Sequence, residues 1–87
     1  MKDNFYALTF HSVSLALQFE KLANDIGIDV ELIPVPREIS SSCGLAAKFL
    51  EDGLDAISTL IERADYEYDS LYFVDKKTGK KPLKINF

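Results

Sequence analysis

The residues of this chain that could do chemistry are concentrated in one short segment, residues 33–44, which holds the only cysteine, Cys43. The neighbours that could act on its thiol are Arg37, Ser40, Ser41, Ser42 and Gly44. A cysteine reacts as its thiolate, and positive charge or hydrogen-bond donors nearby raise the thiolate fraction. The arginine, the hydroxyls and the backbone N–H groups are such donors, and glycine allows close backbone approach to the sulfur. We therefore identify this segment as a candidate site for nucleophilic thiol chemistry.

Each of these residues also has a purely structural interpretation. A lone cysteine is most often a small buried apolar side chain, although the serine and glycine neighbours of Cys43 favour neither burial nor exposure. The serines could form turns, and Arg37 could pair with Glu38 at the surface for less than about 1 kcal/mol. The residues alone leave both interpretations open.

Composition restricts the class of protein. The chain has 87 residues, of which 47% are hydrophobic and 28% charged, and this is typical of one globular domain. A single cysteine forms no internal disulfide, which favours a reducing compartment. The first residues, Met1 to Asn4, are not followed by an uninterrupted apolar run, so we predict neither a signal peptide nor a membrane span. We expect a cytoplasmic protein without a membrane partner.

Charge is distributed unevenly along the chain. Residues 1–74 carry five basic and thirteen acidic side chains, a net charge of −8, whereas residues 75–87 carry five lysines and one aspartate, a net charge of +4. An acidic body argues against a nucleic-acid surface. We therefore predict a single domain over residues 1–74 and a lysine-rich C-terminal hairpin or tail over 75–87. A solvated hairpin is the simplest interpretation of the lysines, and contact with an acidic partner, an RNA or the protein's own acidic body is the alternative.

Four segments have the composition or alternation of β-strands, namely residues 5–10, 29–33, 45–50 and 71–74. The first is apolar on both alternating sides, which predicts a central strand. The second ends at Pro34, which is typical of an edge strand. The third could also be a helical turn by propensity, but we assign a strand because the run is short. Leu83, Ile85 and Phe87 alternate after a glycine-containing turn, which allows a fifth strand paired with the fourth.

Two segments have helical periodicity. Ser12 is a natural N-cap for a helix that runs to about Ile26 and ends before Gly27. The spacing predicts an apolar face made of Leu15, Ala16, Phe19, Leu22, Ala23 and Ile26. A second helix covers about residues 53–65, with Asp52 as its predicted N-cap. Its predicted apolar positions are Leu54, Ile57, Ile61 and Ala64.

The order β-α-β-β-α-β predicts an α+β fold of the ferredoxin-like split βαβ type, an antiparallel sheet with two helices on one face. A right-handed crossover makes strands one and two parallel, so the ends of both lie at one rim of the sheet. His11, which follows strand one, should therefore share this rim with Cys43. The helix that starts at Ser12 directs its N-terminus there and favours a nearby anion. His11 could relay a proton or supply positive charge, and an ordinary residue at a helix start is an equal alternative.

The run Ile-Pro-Val-Pro-Arg-Glu-Ile-Ser-Ser-Ser-Cys-Gly (33–44) resembles the signature of a family of small bacterial domains described as putative selenium/sulfur carrier-like proteins. Thr9-Phe10-His11-Ser12, with Ala16 and Glu20 after it, resembles the first strand and helix of that family. The similarity covers about residues 5–74. It implies that Cys43 is the carrier thiol, surrounded by Arg37 and the three serines. It further implies a persulfide-type or selenide adduct, with sulfur or selenium donor and acceptor proteins as partners.

Two classes of function remain open, a sulfur or selenium carrier and a non-catalytic interaction or regulatory module. A module of the second class could form a homodimer through its sheet, with Tyr6, Leu8, Tyr72 and Val74 on an exposed face. Phosphate-loop and dinucleotide glycine patterns and a cysteine pair for a metal are absent, so no cofactor or metal is predicted. The acidic body and the lack of a basic aromatic motif on the third strand argue against a nucleic-acid partner. Nothing supplies a complete set of nucleophile, base and orienting group, so the sequence leaves open whether the protein is an enzyme.

Overall fold

The structure, a computed structural model, describes residues 4–37, 39, 44–75 and 81–85. The strands in these ranges are β1 (Asn4–Thr9), β2 (Glu31–Pro34), β3 (Leu45–Phe49), β4 (Ser70–Asp75) and β5 (Leu83–Ile85). The helices are α1 (Val13–Asp25) and α2 (Leu54–Ala64), and a 3-10 turn, Glu51–Gly53, precedes α2. Over the described part of the chain, neither helix has the length and apolar character needed to cross a membrane.

The sheet has the order β2-β3-β1-β4-β5, and every neighbouring pair is antiparallel. This confirms the predicted ferredoxin-like α+β arrangement, with the extra strand β5 added beside β4. The central position of β1 and the edge position of β2 are also as predicted. Pro34 ends the edge strand, where the missing N–H of proline costs no ladder hydrogen bond.

The strand assignment of β3 is confirmed, although alanine and leucine favour helices by propensity. Ala46 pairs with Thr9 of β1 on one side and with Ile33 of β2 on the other. Ala46 and Ala47 are both completely buried. Pairing and burial between two strands therefore override the intrinsic helix preference of these residues.

Both helices cover one face of the sheet, which we call the helix face. Its buried core consists of Leu8, Phe10, Ala16, Phe19, Ala23, Val30, Ala47, Phe49, Ile57, Ile61 and Leu71. The ring centroids of Phe10 and Phe19 are 5.2 Å apart, and Tyr66 meets both rings nearly edge-on. The Tyr66 hydroxyl donates a hydrogen bond to the carbonyl of Leu15. This contact joins the segment between α2 and β4 to α1.

Both ends of α1 are as the sequence predicted, but the start of α2 is not. The side chain of Ser12 accepts a hydrogen bond from the N–H of Leu15 at 3.2 Å, and Gly27 follows the last turn with φ +86°. The prediction of Asp52 as the N-cap of α2 is wrong. Because the 3-10 turn already includes Asp52, the N-cap position falls on Gly53, and no side chain caps this end.

The predicted apolar face of the helices is only partly buried. Ala16, Phe19 and Ala23 of α1 are fully buried, but Leu22 is 40% and Ile26 60% exposed. Ala64 of α2 is exposed as well. Ile26 and Ala64 line a groove between the two helices. The apolar stripes are wider than the sheet can cover, and the excess lies on the outside of the helix layer.

The opposite face of the sheet, which we call the second face, carries its own small core. Phe5, Ala7, Ala46, Val74 and Ile39 are buried there, and Ile39 is only 6% exposed. Ile39 belongs to the segment between β2 and β3. That segment therefore covers part of the face that a four-stranded ferredoxin-like sheet would leave to solvent.

The predicted exposed surface made of Tyr6, Leu8, Tyr72 and Val74 is wrong. The register pairs Tyr6 with Phe73 and Phe5 with Val74, and directly paired residues lie on the same face of a sheet. Tyr6 and Leu8 consequently contribute to the helix face, whereas Tyr72 and Val74 lie on the second face. The error arises because two apolar sets alternate along β1 and the sequence does not tell which set the helices cover.

Candidate functional site

Four strand ends meet at one rim of the sheet. Thr9, the last residue of β1, pairs with Ala46 near the start of β3 and with Ser70 at the start of β4. Pro34, the last residue of β2, pairs with Leu45. We use "the rim" for this end of the sheet. It is the end from which the chain leaves towards α1 and towards residues 35–44, which we call the cysteine loop.

The rim is fixed between β1 and β4 by a buried side chain. The Thr9 hydroxyl donates to the carbonyl of Ser70 and accepts from the N–H of Ser70, both at 3.1 Å. The N–H of Asp69 donates to the carbonyl of Thr9 at 2.8 Å. Among the described residues, no buried side-chain nitrogen or oxygen lacks a hydrogen-bond partner. The buried hydrogen-bonding groups at the rim are therefore satisfied, and the end of β1 is fixed to the start of β4.

The cysteine loop is fixed at its base and near its middle. The N–H of Val35 donates to the carbonyl of Gly44 at 3.0 Å, which closes the two ends against each other. The N–H of Ile39 donates to the carbonyl of Pro36 at 2.9 Å and forms a turn. The Ile39 side chain then enters the core of the second face. The described residues of the loop are thus held by two backbone hydrogen bonds and one buried anchor.

Gly44 has a conformation that other residues adopt with difficulty. Its φ is +76°, in the left-handed region that favours glycine. A Cβ at this position would meet no heavy atom within 4 Å. Glycine is therefore required here by the backbone conformation and not by lack of space.

The predicted site residues are only partly within the described ranges. Cys43, Ser40, Ser41 and Ser42 lie outside them. Arg37 and His11 are described and exposed, and Gly44 is exposed as well. His11 follows the last residue of β1 by two positions and Gly44 directly precedes β3, so both adjoin the rim.

Ser12 is half-buried, and its hydroxyl oxygen caps α1 by accepting from Leu15. Its described role is therefore that of a helix cap. The first turn of α1 contains no acidic residue. The positive end of the helix dipole is consequently not neutralised from within that turn.

A cationic groove adjoins the cysteine loop, and the sequence analysis did not find it. Its lining residues are Phe5, Ile33, Pro34, Val35, Pro36, Arg37 and Lys48. The Nζ of Lys48 lies 5.2 Å from the centre of the Phe5 ring, a cation–π contact. The sequence signal for this groove was Lys48, the single charged residue in the otherwise apolar strand β3. Arg37 and Lys48 thus place two positive side chains at one groove of an otherwise acidic body.

Metal binding has no support from the part of the chain that the structure describes. Within those ranges, no three His, Cys, Asp or Glu side chains are grouped so that they could hold an ion.

The fold and the site together define a ferredoxin-like domain that presents a loop between β2 and β3 at one rim of its sheet. A model of a protein family described as "Putative Se/S carrier protein-like" matches residues 5–73 of the chain. The match covers both helices and nearly all of β1 to β4. The chain therefore belongs to this family, and the resemblance noted from the sequence is confirmed. No curated protein and no solved structure matches the chain.

Proposed function

We propose that this protein carries sulfur or selenium on Cys43 and delivers it to an acceptor protein. Membership of a carrier-like family supports a carrier role in general. The observation that supports Cys43 as the carrying residue is the loop base at Val35 and Gly44, which holds the segment next to the only cysteine at the rim.

The place of Cys43 in the sequence supports this role. Cys43 directly precedes Gly44. Gly44 is exposed and hydrogen-bonded to Val35 at the base of the loop. We infer that a partner protein meets Cys43 at this rim.

The charges around the rim support an anionic sulfur. Arg37 lies in the same loop, His11 follows the end of β1 at the rim, and the N-terminus of α1 begins at Ser12. Each of them favours a thiolate or a persulfide anion over its neutral form. In this proposal Arg37 and the hydroxyls of Ser40, Ser41 and Ser42 surround the adduct, and Gly44 leaves room for it.

The proposed transfer balances without an added oxidant. The Cys43 thiolate attacks the terminal sulfur of a donor persulfide, R–S–SH. A new sulfur–sulfur bond forms on Cys43, the donor S–S bond breaks, and the donor leaves as the thiolate R–S⁻. An acceptor thiolate then takes the terminal sulfur by the same type of attack, and Cys43 returns to its thiolate form. A donor that carries selenium gives the corresponding S–Se adduct.

The test has two measurements on the full chain. The first is the pH dependence of Cys43 alkylation in the wild type, in Arg37→Ala and in His11→Ala, with Arg63→Ala as a control arginine on α2. We expect the wild-type thiol to ionise below the free value of about 8.5. Both site variants should shift ionisation towards that value, and the control should not.

The second measurement is mass spectrometry after incubation with a small-molecule persulfide. We expect Cys43 to gain one sulfur atom and to lose it to an added acceptor thiol, whereas Cys43→Ser gains none. A thiol that alkylates like a free cysteine at every pH and takes up no sulfur would refute the proposal.

Two further points complete the proposal. The carrier domain comprises residues 1–74, and residues 75–87 form a lysine-rich addition; the family match ends at residue 73, which supports this division. A carrier thiol must be kept reduced between transfers, so a reducing compartment such as the cytoplasm suits it.

A non-catalytic interaction module is the competing proposal. The exposed apolar groove between α1 and α2 favours it, because such grooves often bind protein partners. A Cys43→Ser variant that retains full activity in cells would support the module over the carrier.

A further inference from the structure

The helix layer carries an apolar groove that no described part of the chain covers. One wall is formed by Ile26 and Ile28, which follow α1, and the other by Ala56, Leu60 and Ala64 of α2. We call it the helix groove. The side chain of Ile26 is 60% exposed there. An exposed side chain of this size beside a concave apolar surface marks a site of protein contact.

The α2 wall of the groove has the pattern of a helix-packing surface. Ala56, Leu60 and Ala64 are spaced four residues apart and form one ridge along the helix. Two small alanines on either side of a leucine allow the backbone of a second helix to approach closely. The ridge is therefore shaped for contact with another helix.

Two charges beside the ridge lie at equal distances from Thr59, which also lines the groove. Asp55 and Arg63 are both exposed and lie at opposite ends of the groove. They are eight residues apart, about 12 Å along the helix axis. If a second copy of α2 lies antiparallel across the groove with the two-fold axis at Thr59, Asp55 of each copy faces Arg63 of the other. The surface is thus complementary to itself, as a two-fold interface requires.

We propose that the helix groove is the interface of a homodimer in which two α2 helices pack antiparallel. The occupant of the groove is a second copy of this chain, with Thr59 nearest the two-fold axis, Leu60 buried beside it, and two Asp55–Arg63 ion pairs at the edges of the contact. The dimer uses the helix layer, whereas the cysteine loop packs on the second face through Ile39. It therefore leaves the loop accessible and is independent of the carrier proposal.

The size of the contact sets the expected strength. Two short helices and the flanking isoleucines bury less surface than the roughly 800 Å² per partner of a standard interface. We therefore expect a reversible dimer whose fraction changes with protein concentration.

The charge pattern allows a decisive exchange experiment by sedimentation velocity on the full chain over a wide concentration range. Asp55→Arg places arginine opposite Arg63 twice, and Arg63→Asp places aspartate opposite Asp55 twice. We expect each single variant to raise the dissociation constant by about tenfold or more. The two variants mixed together should form a mixed dimer, because both facing pairs then have opposite charges. The double variant should dimerise by itself for the same reason.

Glu62→Arg is the matched control, since it changes the net charge equally at an exposed position of α2 that does not line the groove. It should leave the dimer unchanged, and Leu60→Asp should abolish it. Circular dichroism establishes that each variant is folded. A monomeric wild type at every concentration would overturn the proposal. A dimer whose dissociation constant does not respond to the charge exchange would also overturn it. The same holds if an unrelated protein co-purifies with the chain, bound at the groove in place of a second copy.

Discussion

Thr9 and Ser70 form a reciprocal pair at the rim, in which one buried hydroxyl serves both backbone groups of the facing residue. The hydroxyl of Thr9 donates to the carbonyl of Ser70 and accepts from its N–H, at 3.1 Å in each case. The side chain of Thr9 is completely buried. This pair fixes the start of β4 against the end of β1, one strand away from the base of the cysteine loop.

Replacing Thr9 by valine should destabilise the fold while keeping its shape. The variant leaves the N–H and carbonyl of Ser70 without their partner in a buried place, at an expected cost of about 1–3 kcal/mol in the free energy of unfolding. Urea denaturation measures this. Ser14→Ala, which removes a hydroxyl at an exposed position of α1, is the control and should change stability little. Equal stability of Thr9→Val and the wild type would contradict a structural role for the pair.

Gly44 and Gly27 provide a matched test of what the loop geometry does for the thiol. Both have positive φ, +76° and +86°, and a Cβ would meet nothing within 4 Å at either position. Alanine at each should therefore cost a similar amount, about 1 kcal/mol, through backbone strain alone. Only Gly44→Ala should also change the alkylation rate of Cys43, because only Gly44 adjoins it. A change of equal size in Gly27→Ala would show that general destabilisation explains the effect.

Ile39 should couple the cysteine loop to the second face. Ile39→Ala removes a buried anchor and should cost about 2–4 kcal/mol. It should also bring the alkylation rate of Cys43 closer to that of an unstructured peptide, under conditions where the variant remains folded. Ile57→Ala, in the core of the helix face, should lower stability comparably. Thiol reactivity in that control should stay as in the wild type, and an equal change in both variants would argue against a specific anchor.

Tyr66 should make stability fall at high pH. Burial raises the pKa of Tyr66 above its ordinary value, since it penalises the phenolate. Its contribution is fully present below the pKa of about 10 in the unfolded chain and is lost as the pH rises through the higher pKa of the folded state. The wild type should therefore lose more stability above about pH 10 than Tyr66→Phe.

Near neutral pH the wild type should be the more stable of the two proteins. Tyr66→Phe should then be less stable by about 0.5–1.5 kcal/mol, because the hydrogen bond to the Leu15 carbonyl is gone. Urea denaturation at both pH values checks the pair of expectations. Tyr72→Phe, on the second face away from α1, is the control. Parallel pH profiles of the wild type and Tyr66→Phe would contradict this account.

The sequence predicted the fold well because its local signals agree with its long-range pairing. Ser12 and Gly27 mark the two ends of α1, and Pro34 marks an edge strand, all as the structure has them. The failures are at positions where local patterns are ambiguous. The side chain of Asp52 is suited to an N-cap, yet Asp52 belongs to the 3-10 turn that precedes α2. Ile26 fits the helical spacing, yet it lies outside the area that the sheet covers.

The candidate site was only partly predictable. The composition of the segment singled out Arg37 and Gly44, and the topology placed His11 near the same rim. The burial of Ile39 on the second face was not foreseen, because a single isoleucine between polar residues has no periodicity to indicate its direction. Lys48 was missed for a related reason, since its proximity to Arg37 depends on the pairing of β2 with β3.

The short edge strands of the sheet have a consequence for how the protein behaves when crowded. The two edges, β2 and β5, are four and three residues long. Pro34 offers no N–H to a neighbouring strand, and Lys84 places a charge on the other edge. Neither β2 nor β5 therefore offers a long row of free backbone N–H and C=O groups on which a fibril could grow strand by strand. The two edges thus protect the protein from association with copies of itself through its sheet.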